Sequence, residues 1–327
     1  MSAKGPACQP GPLKKSPADL DTLDLITVPR HQLVIEICLP LPWLGLSLWL
    51  YSGAYWPIGM LASFLCFLGC LRLNHEAIRG NPGLSRRWNG VILHVLRGLR
   101  LGSNPADAFC HLPHHRDMTG PDDCEGHCAK MTFGQVPVHG PRFPVEINRA
   151  AWTQGSRFWR RRIVIDRLCV AGFVGGAALI GQGFQGLHGA AMALGQCLTA
   201  LFAVSTTHHG TAGPGLAGRC RRGVVARLAY LMFYHREHHL FSRVPVSRLP
   251  ELAARLDDQV AGYASIRMPV TRAFDRHSQI GDAGSMGILP ILRVLPDRRT
   301  ARQDRFTRCR SAQASESGLR HGRSRSG

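Results

Sequence analysis

"LVIEICLPLPWLGLSLWLY" (33–51), "SGAYWP" (52–57) and "IGMLASFLCFLGCLRL" (58–73) set two apolar runs on either side of a short aromatic turn. Each run approaches the roughly 20 residues that cross a hydrocarbon core, and the short connection predicts a helical hairpin. Glu36, Pro40 and Pro42 interrupt the first run, while Trp43, Trp49, Tyr55 and Trp56 suit an interfacial belt beside the turn. A second pair, "LCVAGFVGGAALIGQGF" (168–184) and "LHGAAMALGQCLTALFAVS" (187–205), carries small residues that let helices approach closely. The expected fold is all-α and integral to a membrane: two transmembrane helical hairpins, about four spans, under a cytoplasmic helical cap. Two buried hairpins of a soluble helical protein are the competing reading.

Charge supplies the orientation. Neither hairpin turn carries Lys or Arg, whereas the block 74–165 holds Lys130 and "RFWRRR" (157–162), and the chain after 206 is basic again. An even number of spans leaves these portions on one face, which the arginine excess makes cytoplasmic, in a bacterial inner (plasma) membrane. The formal charge of +19 over 327 residues would also suit nucleic acid, but no zinc-finger, RNA-recognition or basic-zipper pattern accompanies it, so no nucleic acid is expected. Residues 1–30 are polar and Pro-containing, read as a disordered segment without a cleavable signal. Residues 31–273 form the membrane domain, and 274–327 a basic disordered tail. The 11 cysteines lack regular spacing, which predicts reduced thiols. "RRWNGVILHVLRGLRL" (86–101) fits either an interfacial amphipathic helix or one packed on the cap.

The same cytoplasmic portions hold two His-x-x-His-His clusters, "HLPHHRDMTG" (111–120) and "YHREHHLFSRVPVSRLPEL" (234–252). Positions i and i+3 or i+4 share a helix face. His235 with His238 or His239 can therefore address one ion while the remaining ring reaches a second. His111, His114 and His115 repeat the pattern, and His75, His208 and His209 add candidates. Nine imidazoles exceed the needs of one tetrahedral zinc and suit a pair of metals with open positions. Histidine density alone leaves iron, zinc, copper and nickel open. A single structural zinc with surplus surface histidines is the plainer alternative. His31, His139, His188, His277 and His321 are assigned no role, and His94 and His127 stand only as reserve ligands.

"NHEAIRGNP" (74–82), "HLPHHRDMTGPDD" (111–123), "TTHHG" (206–210) and the 234–252 stretch, taken in order, resemble the histidine boxes of membrane fatty acid desaturases. That superfamily also includes carotenoid hydroxylases and ketolases. The resemblance spans about 70–255 and implies an O2-dependent oxidoreductase of lipid metabolism that desaturates fatty acyl chains. It implies two non-haem irons on the histidines named above, with C–H abstraction by an iron–oxo centre. The partners would be a lipid or acyl-chain substrate, O2 and a separate electron donor, a ferredoxin or a cytochrome with its reductase. Carotenoid or alkane hydroxylation is the alternative within the superfamily. Glu76 and Glu237 are expected to orient imidazoles; Asp122 and Asp123 would do so or cap the next helix.

One position departs from the pattern. The first box should read His-Glu-x-x-His, but Arg79 stands at its second histidine, and Arg has no lone pair for a metal. Arg79 is thus a disrupted ligand position, with Asn81 or His94 as substitutes, and a catalytically silent membrane relative is the reading from another class. A soluble zinc hydrolase is a further option, weakened because Arg79 spoils the H-E-x-x-H match.

Overall fold

The computed structural model describes residues 16–115, 120, 123–179, 184–209 and 230–264, and every regular element among them is helical. Asp122, residues 1–15 and the expected tail 274–327 lie outside the described residues. The described part of the N-terminal segment is not featureless. A 3-10 turn at Pro17–Asp19 and helix α1 (Leu23–Ile26) bury Leu20 and Leu25 in an apolar cluster with Leu249, Leu252 and Leu256. Arg255 clamps Asp24 through contacts of 2.8 and 2.7 Å. The expected disorder there gives way because these two leucines have an apolar partner surface that local composition does not reveal.

Helices α2 (Arg30–Cys38) and α3 (Leu41–Ser52) run on from each other with Pro40 at the joint, and α4 (Trp56–Arg79) returns beside them. Proline lacks the N–H that a continuous helix needs, so it sits where α3 begins. The intervening turn leaves Trp49, Tyr55 and Trp56 exposed, as an interfacial belt requires. Glu36 and Arg72, the charges that interrupt the two runs, meet at 2.5 Å. Arg72 also donates to the Tyr230 carbonyl at 2.8 Å. Gly80 ends α4 in the left-handed region at φ 73°, and Asn81 N–H closes back on the Glu76 carbonyl at 3.1 Å. This glycine-based cap suits the absence of a Cβ.

The cap begins with α5 (Arg86–Arg100), α6 (Asn104–His114), α7 (Gln135–His139) and α8 (Phe143–Gln154). On α5, Leu96 faces the core while Trp88, Val91 and Val95 are exposed on another side. One stripe of this helix thus packs inward and another, apolar one lies at the surface. Helix α9 (Arg157–Leu179) leads to α10 (Phe184–Thr199), which widens into a π-helical stretch, Ala200–Ser205, before α11 (Thr206–His208). Beyond residue 230 come α12 (His235–Leu240) and α13 (Leu249–Gln259).

Three helices, Arg30–Ser52, Trp56–Arg79 and Phe184–His208, are long and apolar enough to cross a membrane among the described residues. The expected third span is not among them. The first half of α9 carries Arg157, Arg160, Arg161, Arg162, Asp166 and Arg167, and Asp166 is buried against Arg97 at 2.6 Å. That half belongs to the cap. The expected span continues through 180–183, which lie outside the described residues. Cys110 and Cys124 form a disulfide, Cα–Cα 6.0 Å, correcting the expectation of reduced thiols throughout. Six other described cysteines are free. The pair escaped sequence reading because Cys110 sits in a helix and its partner in a loop beyond it.

Removing one partner of a buried pair strands the other charge, at about 3–5 kcal/mol. Glu36→Leu should lower unfolding stability in detergent by about 3 kcal/mol, and Glu36→Leu/Arg72→Leu should recover most of it. Equal stability of the single variant and the native chain would show that Glu36 and Arg72 do not depend on each other.

Candidate metal centre

His75 lies one turn before the end of α4, His111 and His114 on α6 with His115 at its cap, His208 at the end of α11, and His235, His238 and His239 on α12. The folded chain sorts these eight rings into two groups of four, His75, His111, His115 and His238, and His114, His208, His235 and His239. Within each group the ligand atoms lie within 4.8 Å of one another. The two His-x-x-His-His motifs divide in the same way. Their i, i+4 rings stay together, 111 with 115 and 235 with 239, and the middle ring crosses to the other group. The groups touch where the His115 and His239 rings stack, centroids 4.1 Å apart and 24° from parallel.

Carboxylates set the tautomers. The His111 Nδ1 faces Glu125 Oε2 at 3.0 Å, His114 Nδ1 faces Asp123 Oδ2 at 2.7 Å, and His75 Nδ1 faces Glu76 Oε1 at 3.3 Å. An ionised carboxylate only accepts, so in these pairs Nδ1 carries the proton and Nε2 keeps its lone pair. The Nε2 of His115 meets those of His111 and His238 at 3.0 and 3.2 Å. The Nε2 of His208 meets those of His114 and His235 at 3.2 and 2.7 Å, and His235 meets His239 at 3.0 Å. The central ring of each group cannot satisfy both neighbours. With lone pairs on His111 and His114, a central Nε2–H can donate to one side only, and without that proton it faces lone pair to lone pair. A cation at the focus satisfies all four nitrogens together.

The rings are also held in the ligand form. Burial drives His111 down to about 4, against the pull of Glu125. Burial lowers His115, His235, His238 and His239 well below the usual histidine range. At His114 burial works downward too, but its hydrogen bond to Asp123 and the nearby carboxylates more than offset it. Two four-imidazole groups, with burial favouring the neutral ring at His111, His115, His235, His238 and His239, therefore fit a pair of first-row transition metals, iron among them.

Arg79 does not remove a ligand from this set. Its Nε donates to the Ser242 carbonyl at 3.1 Å, and each group has four rings without it. Its charge adds to burial in keeping His115 and His238 neutral. Asn81 is not a ligand in either group; its side chain reaches Glu76 at 3.4 Å and the Ser242 carbonyl at 3.2 Å. His94 is engaged by Arg97 at 2.6 Å and joins neither group. His209, expected among the ligands, is not brought in: its Nδ1 donates to the Ala129 carbonyl at 3.1 Å. It comes directly after His208, and adjacent helical positions cannot face one point.

Glu76 does reach a histidine and also accepts from Val246 N–H at 3.0 Å; Glu237 is fully buried. Asp123 performs both of its alternatives, orienting His114 and accepting from the Glu125 and Gly126 N–H groups at 3.1 and 2.9 Å. Glu125 escaped sequence reading, since nothing in its position marks it beyond lying in the acidic loop after the second box. A cavity of about 100 Å³ opens onto His75, His111, His235 and His238, with Leu71, Ile78, Phe143, Ile147 and Met232 among its walls.

Metal analysis of detergent-purified protein should show about two bound metals per chain, and His115→Ala or His239→Ala should lose at least one. Arg79→His and His209→Ala should retain both. Raised metal content in Arg79→His would place position 79 within reach of the centre.

A family model described as fatty acid desaturase matches residues 51–270. No curated protein matches the chain.

Proposed function

The chain belongs to the fatty acid desaturase family, an integral membrane oxidoreductase of the histidine-box superfamily, and we propose that it desaturates fatty acyl chains with O2 at two non-haem irons. The observation that carries the substrate class is the cavity: Leu71, Ile78, Phe143, Ile147 and Met232 give it an apolar side, Arg72, Asn74, Arg100, Asp107 and Asn148 give it polar groups as well, and it reaches rings of both histidine groups. An alkyl chain needs no hydrogen-bonding partner along the apolar side.

His75, His111, His115 and His238 would hold one iron, and His114, His208, His235 and His239 the other. When bound, the pair supplies the oxidising power to take two hydrogens from adjacent saturated carbons, reducing one O2 to two waters with two electrons and two protons from outside. Glu76, Asp123 and Glu125 keep the Nδ1 protons in place, so that the Nε2 lone pairs stay on the metals. Leu71, Ile78, Phe143 and Ile147 align the chain beside the rings and exclude water. The electrons come from a separate ferredoxin or cytochrome, for which the arginine-rich face offers electrostatic docking. That face is cytoplasmic by the charge rule. In this reading the apolar end of α9 enters the membrane with α10 as the second hairpin.

Ile147→Trp fills the cavity away from the metals. It should keep about two irons per chain while cutting product formation at least tenfold, read as unsaturated acyl chains in lipid extracts of an aerobic expressing host. Hydroxylated or ketonic products in the native chain would redirect the reading to carotenoid or alkane oxidation. Full iron without any oxidised lipid would support the silent relative.

A further inference from the structure

Outside the two histidine groups a third set of donors converges. The 3-10 turn Gly126–Lys130 presents His127 and Cys128, α7 ends on His139, and the first turn of α8 supplies Glu146. His127 Nε2 lies 3.1 Å from His139 Nε2, 3.2 Å from Glu146 Oε2 and 3.5 Å from Cys128 Sγ, and His139 Nε2 lies 2.9 Å from Glu146 Oε2. We propose that His127, Cys128 and His139, whose donor atoms lie within 4.8 Å of one another, form a metal site of their own with Glu146 beside the two imidazoles, taking a zinc-class divalent cation.

Three observations support it. First, His127 Nδ1 donates to the Cys124 carbonyl at 3.0 Å, which leaves a lone pair on Nε2, aimed at the Glu146 oxygen. The single Nε2–H of His139 can serve its own contacts but not that one. A cation between them turns the repulsion into coordination. Second, the separations between His127 and His139, between each imidazole and Glu146, and between His127 and Cys128 are close to the edges of about 3.3 Å that zinc–nitrogen and zinc–oxygen bonds of about 2.0–2.1 Å give, slightly longer to sulfur. Third, the donor set differs from the neighbouring centre. Burial pushes the Cys128 thiol up to about 12, so a cation must displace its proton, and a cysteine sulfur beside imidazoles favours zinc over iron. Cys128 is fully buried, while the His127 and Glu146 side chains are 35% and 40% exposed, so a cation can enter from solvent.

The site lies on the strap that runs from Asp123 to Lys130. Asp123 and Glu125 hold His114 and His111, and Ala129 takes the ring of His209. A cation tying His127 and Cys128 to α7 and α8 fixes the far end of that strap, so that the two carboxylates stay on their rings.

The test uses cobalt as the probe on full-length, detergent-purified, metal-stripped protein. The two histidine groups contain no sulfur, so thiolate-to-cobalt charge-transfer absorption reports the third site alone. It should saturate at one cobalt per chain and vanish in Cys128→Ser and His127→Gln, while the visible bands of cobalt at the imidazole groups remain. Zinc content of protein purified without stripping should fall by one per chain in the same variants. Should Cys128→Ser fail to fold, His127→Gln and Glu146→Gln carry the test, because both positions are half-exposed. Absence of the charge-transfer band in the native chain, its persistence in Cys128→Ser, or unchanged zinc in His127→Gln would overturn the proposal.

Discussion

Eight imidazoles share two small volumes, and their lone pairs repel unless cations sit between them. This electrostatic conflict is the constraint around which the described chain is built. Four rings whose Nε2 atoms lie within 4.8 Å are a poor arrangement for a buried core, where each polar atom needs a partner of opposite role. The conflict is maintained at every level. Burial favours the neutral ring at His111, His115, His235, His238 and His239, the carboxylates of Glu76, Asp123 and Glu125 hold the Nδ1 protons of His75, His114 and His111, and Arg79 adds positive potential against protonation of His115. Each device would be a liability without a metal pair and is useful with one.

The membrane helices serve this centre by fixing where the rings begin. His75 is carried on the same helix as Arg72, whose contacts with Glu36 and the Tyr230 carbonyl tie the first hairpin to the segment just before α12. A second polar chain crosses the helices lower down: Tyr51 hydroxyl to Ser63, Ser63 to His188, and His188 to the Leu99 carbonyl. Gly195 allows α10 to lie so close to α4 that a Cβ there would stand 2.5 Å from the Phe67 ring. The π-helical stretch continues the same helix, with Thr206 and Thr207 bonded back to the Phe202 and Ala203 carbonyls. Such a bulge changes the phase of every later side chain on its helix, and His208 is the one whose direction matters here.

Much of this was legible because the relevant signals are local. Apolar run length announced the first hairpin, and His-x-x-His-His spacing on a helix announced that two rings would share a metal and one would cross. Which ring crosses was open for the third box, and helix geometry settled it in favour of the i, i+4 pair. The features that stayed hidden depend on partners distant in sequence. Glu125 becomes a histidine partner only because the loop after α6 folds back, the Cys110–Cys124 bond joins a helix to that loop, and His139 looks solitary until α7 brings it to His127. Arg79 misled for the opposite reason: the motif position was read as a place in space, whereas its side chain turns to Ser242. The charged half of α9 was visible, yet the burial of its Asp166 against Arg97 is a tertiary fact.

The crossing of the middle rings bears on how the protein is made. One group waits for His238 and the other for His235 and His239, so neither is complete until the chain has been synthesised past residue 239. By then the hairpin 30–79 has long been made. A cation that needs a complete group can therefore be taken up only late in synthesis, and a truncated product ending before α12 lacks both complete groups.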